Sequence, residues 1–286
     1  MNREGIKMND EIKKKLDLVH SKCVEIVKII DQICVENDID YSLCGGSVIG
    51  AHLYNGFIPW DDDIDIMMTR KNYDKFLAIA PGKLPDEFKL LKCDPSQNTN
   101  VLFSKIIDEN STMVEKSYDG SHKISGVFVD IGVFDKIPNK KWLRIYDTLL
   151  MKLMHIAFIG HCSDKSFKSF MKNGILLFIG NKRKQLFEKL ENMLRKNDRL
   201  SEYSYAEYFY GLTILYDKQI FENYDRIEFE GQSFMIVRDY MDYLETRYGR
   251  REFYREDDNA VPPHLVYVNL EMPYKEFDIS QLSSVL

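Results

Sequence analysis

Ile12, Leu16, Val19, Cys23, Ile26, Ile30 and Ile33 follow one another at spacings of four and three. That lays an apolar stripe along one face of a long N-terminal helix. Val24, Val27 and Ile29 widen the stripe beyond a coiled-coil seam, so the helix reads as one packed on a domain core. Residues 41–44 form a short strand-like run that ends at Gly45-Gly46, followed by a small helical segment over 47–55 and the turn Gly56-Phe57-Ile58-Pro59. Over residues 63–68 carboxylates and apolar residues alternate, which is the period of a strand. Thr69 can cap a helix that runs to Ala80 and is stopped by Pro81. Further strands are expected over 88–93, 101–107 and 126–134.

Beyond Pro138 the pattern changes. Helical spacing takes over at 141–160 and 182–197, a hairpin is expected around Glu230-Gly231, and a helix over 239–248 is closed by Gly249. The expectation is an α+β protein: a mixed sheet flanked by helices, with a mostly helical C-terminal region. A boundary near residue 140 would separate a core that carries the motifs, 1–140, from a mostly helical region, 141–286, that completes it.

Composition narrows the function. The 286 residues are 44% hydrophobic, enough for a substantial core, and carry a net charge of -6. An acidic chain is a poor binder of phosphate backbones, so no nucleic-acid partner is expected. Cys23, Cys34, Cys44, Cys93 and Cys162 are odd in number and show no CxxC spacing, which speaks for free buried thiols. The histidines include no HxxxH or HxH pair for zinc, and no Gly-Lys-Ser/Thr loop supports a P-loop kinase. The first residues lack a signal peptide's apolar run, and the stretches 149–160 and 175–180 fall short of the roughly 20 apolar residues of a spanning helix. A cytoplasmic location is expected. The Lys-rich, aromatic back half is compatible with peripheral contact at the inner membrane face.

The chemistry concentrates in Asp61-Asp62-Asp63-Ile64-Asp65. On a strand Asp63 and Asp65 share one face, and Asp61 joins them if the strand reaches that far back. Neighbouring ionised carboxylates repel unless a cation lies between them, and oxygen ligands suit Mg²⁺ or Mn²⁺. Asp130, a lone acid flanked by Val129 and Ile131, is the first candidate for a third ligand, and Asp135 the second. Gly45-Gly46-Ser47, between strand and helix, offers close backbone approach and free N–H groups to an anionic phosphate. Cys44 has no histidine close in sequence to activate it and reads as a core residue.

Gly45-Gly46-Ser47-Val48-Ile49-Gly50-Ala51 and Gly56-Phe57-Ile58-Pro59-Trp60-Asp61-Asp62-Asp63-Ile64-Asp65-Ile66 resemble the signature of the LicD family, phosphotransferases with a nucleotidyltransferase-like fold that are related to fukutin-type proteins. Ser104-Lys105-Ile106-Ile107-Asp108 with Thr112, residues 126–135, Phe229-Glu230-Gly231 and Tyr240-Met241-Asp242-Tyr243-Leu244 with Tyr248-Gly249 extend the resemblance over about 20–265, although Gly132-Val133 stands where the family has Phe-Pro. The resemblance implies metal-dependent transfer of a phospho-alcohol such as phosphocholine from a CDP-linked donor to a sugar hydroxyl of a surface glycan or its lipid-linked precursor. It implies Asp63, Asp65 and Asp130 as metal ligands, with Asp130 completing the site or removing the hydroxyl proton. Gly45, Gly46, Ser47 and Lys105 would hold donor phosphate, and Trp60 would stack on the base, cage a quaternary ammonium or anchor the core. Two alternatives stay open: a nucleotidyltransferase that releases pyrophosphate, and a non-catalytic nucleotide-binding module.

Overall fold

The structure, a computed structural model, describes residues 10–95, 102–116, 122–159, 167–209, 212–250, 253–254, 262 and 264–281. α1 (Asp10–Glu36) forms along the expected stripe, with Leu16, Val19, Cys23, Ile26, Val27, Ile30, Ile33 and Cys34 buried. β1 (Ser42–Leu43) leads into α2 (Gly45–Tyr54), which ends where Asn55 turns left-handed and donates its N–H to Gly50 O. β2 (Asp65–Thr69) and α3 (Arg70–Ile79) follow, then β3 (Phe88–Leu91), β4 (Ser104–Asp108), β5 (Thr112–Lys116), β6 (His122–Ser125) and β7 (Phe128–Pro138). Three helices come next: α4 (Lys141–Ile159), α5 (Phe167–Ile179) and α6 (Arg183–Arg195). The chain then returns to strands with β8 (Tyr203–Phe209), β9 (Leu212–Tyr216), β10 (Tyr224–Phe229) and β11 (Gln232–Val237), and closes with α7 (Tyr240–Tyr248) and β12 (Leu265–Asn269). Val101, His161 and Cys162 lie outside the described residues.

The main sheet runs β1-β2-β7-β4-β3, with β8 and β9 added beyond β7. Among the described residues only the β2–β7 pairing is parallel, so the sheet is mixed. β7 is its spine. The first part of its 11 residues pairs with β2 and β4, and Asp135–Pro138 pairs with β8. A smaller sheet, β12-β5-β6, and the β10–β11 hairpin pack beside it. Glu230 and Gly231 both have positive φ (51° and 66°), as a tight two-residue hairpin turn requires.

One apolar cluster runs across residue 140. Side chains from α1, β1, β2 and β7 share one cluster with Tyr205, Tyr216, Phe229, Phe234 and Tyr243 from the back half. A second cluster packs α4 and α6 (Met151, Met154, Phe158, Phe187, Leu190, Leu194) on Ile137 and Ala206. The back half is therefore helical to about Arg195 and strand-rich afterwards. β8 hid from the sequence because Glu207 is buried among its aromatic residues and breaks the apolar alternation. Among the described residues no helix is long and apolar enough to cross a membrane.

Candidate active site

β2 begins at Asp65, two residues later than expected, yet the alternation of faces reaches further back. Asp62, Ile64 and Ile66 are buried, while Asp61, Asp63 and Asp65 are half-exposed. Neighbouring elements keep this stretch extended. Cys44 N–H donates to Asp65 O (3.0 Å), and Asp130 N–H donates to Ile64 O (3.2 Å). The turned-in Asp62 accepts from Leu265 N–H through Oδ2 (2.8 Å), tying β12 to the acidic run. From α1, His20 donates through Nε2 to Asp61 O (2.7 Å), its ring stacked on Phe57 at 3.6 Å. A carbonyl can only accept, which fixes that tautomer. The β10–β11 turn holds the preceding loop: Glu230 N–H donates to Asn55 O (2.8 Å) and Glu230 Oε1 accepts from Phe57 N–H (3.2 Å).

Asp65, Asp130 and Lys105 form a row across three adjacent strands. Asp65 pairs in register with Asp130, and Asp130 with Lys105. Lys105 Nζ lies 2.7 Å from Asp130 Oδ1 and 3.3 Å from the Phe128 ring centroid. Burial first, then the charges of Asp130 and Asp61, push the Asp65 carboxyl up to about 8, against the pull of Arg247 and Lys105. Burial and the neighbouring Asp62 raise Asp61 to about 7. Asp63 is raised still more firmly, by burial and by Asp65 and Asp61.

The glycines make room for these carboxylates. Gly45 has φ +58°, and a Cβ there would stand 3.3 Å from Asp65 Oδ2; at Gly46 it would stand 2.7 Å from Asp61 Oδ2. A side chain at Gly46 would force Asp61 to move, and one at Gly45 would crowd Asp65 in a left-handed backbone that glycine adopts without strain. The helix N-terminus itself is less free than the sequence suggested. Gly45 N–H donates to Tyr243 Oη (2.9 Å), Ser47 N–H to Cys44 O (3.1 Å), and Ser47 Oγ accepts from Asp65 N–H (3.0 Å). Ser47, 5% exposed, thus ties α2 to the start of β2. Trp60 is half-buried in the turn before the acids. Cys44 is buried, and burial together with Asp65 raises its thiol well above the ordinary range, so it stays a protonated core residue.

α7 supplies a cation that residue-level reading missed. Arg247 lies one helical turn beyond Tyr243, with Nη2 beside Gly45, and ion-pairs with the buried Glu207 of β8. Glu207 also accepts from Tyr216 Oη (2.7 Å), while Tyr216 stacks on Tyr243. Burial opposes the guanidinium charge, but Tyr243 and Glu207 outweigh it and keep Arg247 protonated. The Tyr-rich segment 240–249 was visible in the sequence; the fold alone shows that its arginine reaches the acids.

Asp135, the second candidate for a third acid, belongs elsewhere. Five residues from Asp130 on the same strand, it falls on the opposite face. It holds Arg70 at 2.7 and 2.8 Å, and Arg70 also binds Glu191 at 3.0 Å, all within the buried join of α3, β7 and α6. The cavity beside it, about 30 Å³, is far too small for a nucleotide. The acidic run does suit a hard divalent cation: its donors are all oxygen, its carboxylates are crowded enough to resist ionising together, and Asp61 and Asp63, with the turned-in Asp62 between them, each bring one carboxylate oxygen within 4.8 Å of the others.

Residues 38–162 match the family described as LicD/FKTN/FKRP, nucleotidyltransferase domain. Across 266 residues the chain is 27% identical to a protein of Haemophilus influenzae named lipopolysaccharide cholinephosphotransferase LicD, covering 88% of this chain and 97% of that one.

Proposed function

We propose, from the match of residues 38–162 to the LicD/FKTN/FKRP nucleotidyltransferase domain, that the protein transfers a phospho-alcohol of the phosphocholine kind from a CDP-linked donor to a sugar hydroxyl of a glycan or its lipid-linked precursor. The name of the Haemophilus influenzae relative supports both the transferred group and a lipopolysaccharide-like acceptor. The observation that carries the reading is the row Asp65–Asp130–Lys105, faced by Asp63 and Asp61 beside the glycines of α2.

In this reading Asp63 and Asp65, with Asp61 beside them, hold Mg²⁺ or Mn²⁺. The ion supplies charge neutralisation for the transferred phosphoryl group and its leaving oxygen. The acceptor hydroxyl oxygen bonds to the phosphorus that bears the alcohol, the bond from that phosphorus to the bridging oxygen breaks, and CMP departs with that oxygen. Asp130 takes the hydroxyl proton, a role worth roughly 10²–10⁴-fold. Arg247 and Lys105 flank Asp65 from α7 and β4, so their charges oppose those of the donor diphosphate. Gly45 and Gly46, lacking side chains, let the backbone of α2 come close to the acids and to a diphosphate bound beside them. Trp60, half-buried in the turn before the acids, is the ring that would cover a base or a quaternary ammonium. The experiment is incubation with CDP-choline, CDP-glycerol or nucleoside triphosphates, a glycan acceptor and Mg²⁺. Release of CMP supports the proposal; pyrophosphate from the triphosphates, without CMP, contradicts it.

A further inference from the structure

Far from the acids, α4 and α5 carry apolar surface that the core does not use. α4 turns Asp147, Met151, Met154 and Phe158 inward. Its other face presents Trp142, Ile145, Tyr146 and Leu149 at helical spacing, Trp142 being 69% exposed. α5 packs against α4 and α6, yet none of its described side chains is buried. Phe170, Met171, Leu177 and Phe178 all face outward, the last two 85% and 96% exposed. Large apolar side chains gathered at this density mark an interaction surface.

The charge of the segment identifies what covers it. Residues 140–184 contain ten Lys or Arg and two Asp, a balance of +8 in a chain of net -6, which leaves -14 on the remainder. Lys140, Lys141, Lys152 and Lys182 are exposed beside the apolar residues. A second copy of so acidic a protein could meet this basic rim, but it offers no matching apolar face among the described residues outside α4 and α5. A bilayer with anionic headgroups offers both. The helices, of 19 and 13 residues, are too short or too polar to cross a membrane, which leaves them lying in its plane.

We infer that α4 and α5 dock the protein on an anionic lipid surface, with Leu177 and Phe178 dipping below the headgroups, Trp142 and Tyr146 at headgroup depth, and the lysines on lipid phosphates. The inference stands on this surface alone and needs no transfer chemistry. For a lipid-linked acceptor, it would bring the protein to the plane in which that acceptor moves.

The test is co-sedimentation with vesicles of phosphatidylcholine alone or with about one-third phosphatidylglycerol. The protein should pellet with the anionic vesicles and be released as salt rises. Tryptophan emission should shift to the blue on binding, and Trp142→Phe should abolish the shift. A Leu177→Glu/Phe178→Glu variant with unchanged melting temperature should lose at least about tenfold in partitioning. No binding to anionic vesicles, equal binding by the double variant, or a dimer in sedimentation velocity that the double variant dissociates would each overturn the inference. CMP release from a water-soluble acceptor, measured on the same samples, reports separately on the transfer reaction.

Discussion

Two aspartates five residues apart on β7 have opposite duties, and substitution separates them. Asp130 meets Lys105 and the acidic row, whereas Asp135 is locked to Arg70 in the interior. Asp135→Asn should lower unfolding free energy by about 3 kcal/mol, read by urea denaturation, because it leaves a buried guanidinium short of its partner. Asp65→Asn should leave folding intact and cut the rate of CMP formation by roughly 10³ or more, as expected for a lost metal ligand. Acidity tells the same story. Folding holds Asp61 and Asp65 at about 7 and about 8, above the unfolded carboxylate value. The folded state therefore binds more protons than the unfolded one over that interval, and stability falls as pH rises from about 4 through 8. Melting temperatures in EDTA should drop across this range, and Mg²⁺ should restore most at the alkaline end. A flat profile in EDTA would contradict the crowding of these acids.

At the level of elements, α2 and the acidic run fit together through the missing side chains of Gly45 and Gly46. Gly46→Ala places a methyl 2.7 Å from Asp61 Oδ2, while alanine is worth up to about 1 kcal/mol more than glycine in a helix. Activity should fall at least tenfold while thermal stability holds or rises slightly; parallel losses of both would argue for simple misfolding. These local features were legible in the sequence because they are short-range: the helical stripe of α1, the glycine pair, the alternation around Asp63 and Asp65, the hairpin at Glu230-Gly231. Lys105 and Asp130 were legible as candidates, but their adjacency is a product of strand register. His20, Arg247 and Glu207 were not legible. Each reaches the site across more than forty residues or through a further element, and nothing in periodicity records such distances. The bond from Asp65 N–H to the Ser47 hydroxyl was hidden for the same reason, since it depends on how β2 lies against α2.

Over the whole molecule, the strands of the back half complete the sheet of the front half. β8 continues the pairing of β7, and Tyr205, Tyr216 and Tyr243 lie in the same apolar cluster as Ile66 and Ile131. A fragment of residues 1–140 should therefore lack a cooperative thermal transition by circular dichroism. A sharp transition near that of the full chain would instead make residue 140 a true domain boundary. The same architecture delivers Arg247 and Leu265 to the acids, so the site is finished only when the chain end has packed. Everything catalytic in the account depends on those acids sharing a divalent cation. Calorimetric titration with Mn²⁺ in the presence of CDP-choline tests this most directly, run in two buffers of different ionisation enthalpy. Saturable uptake with proton release near pH 7, abolished by Asp65→Asn, is expected; no uptake, or uptake that Asp65→Asn leaves unchanged, would mean that these acids share no cation.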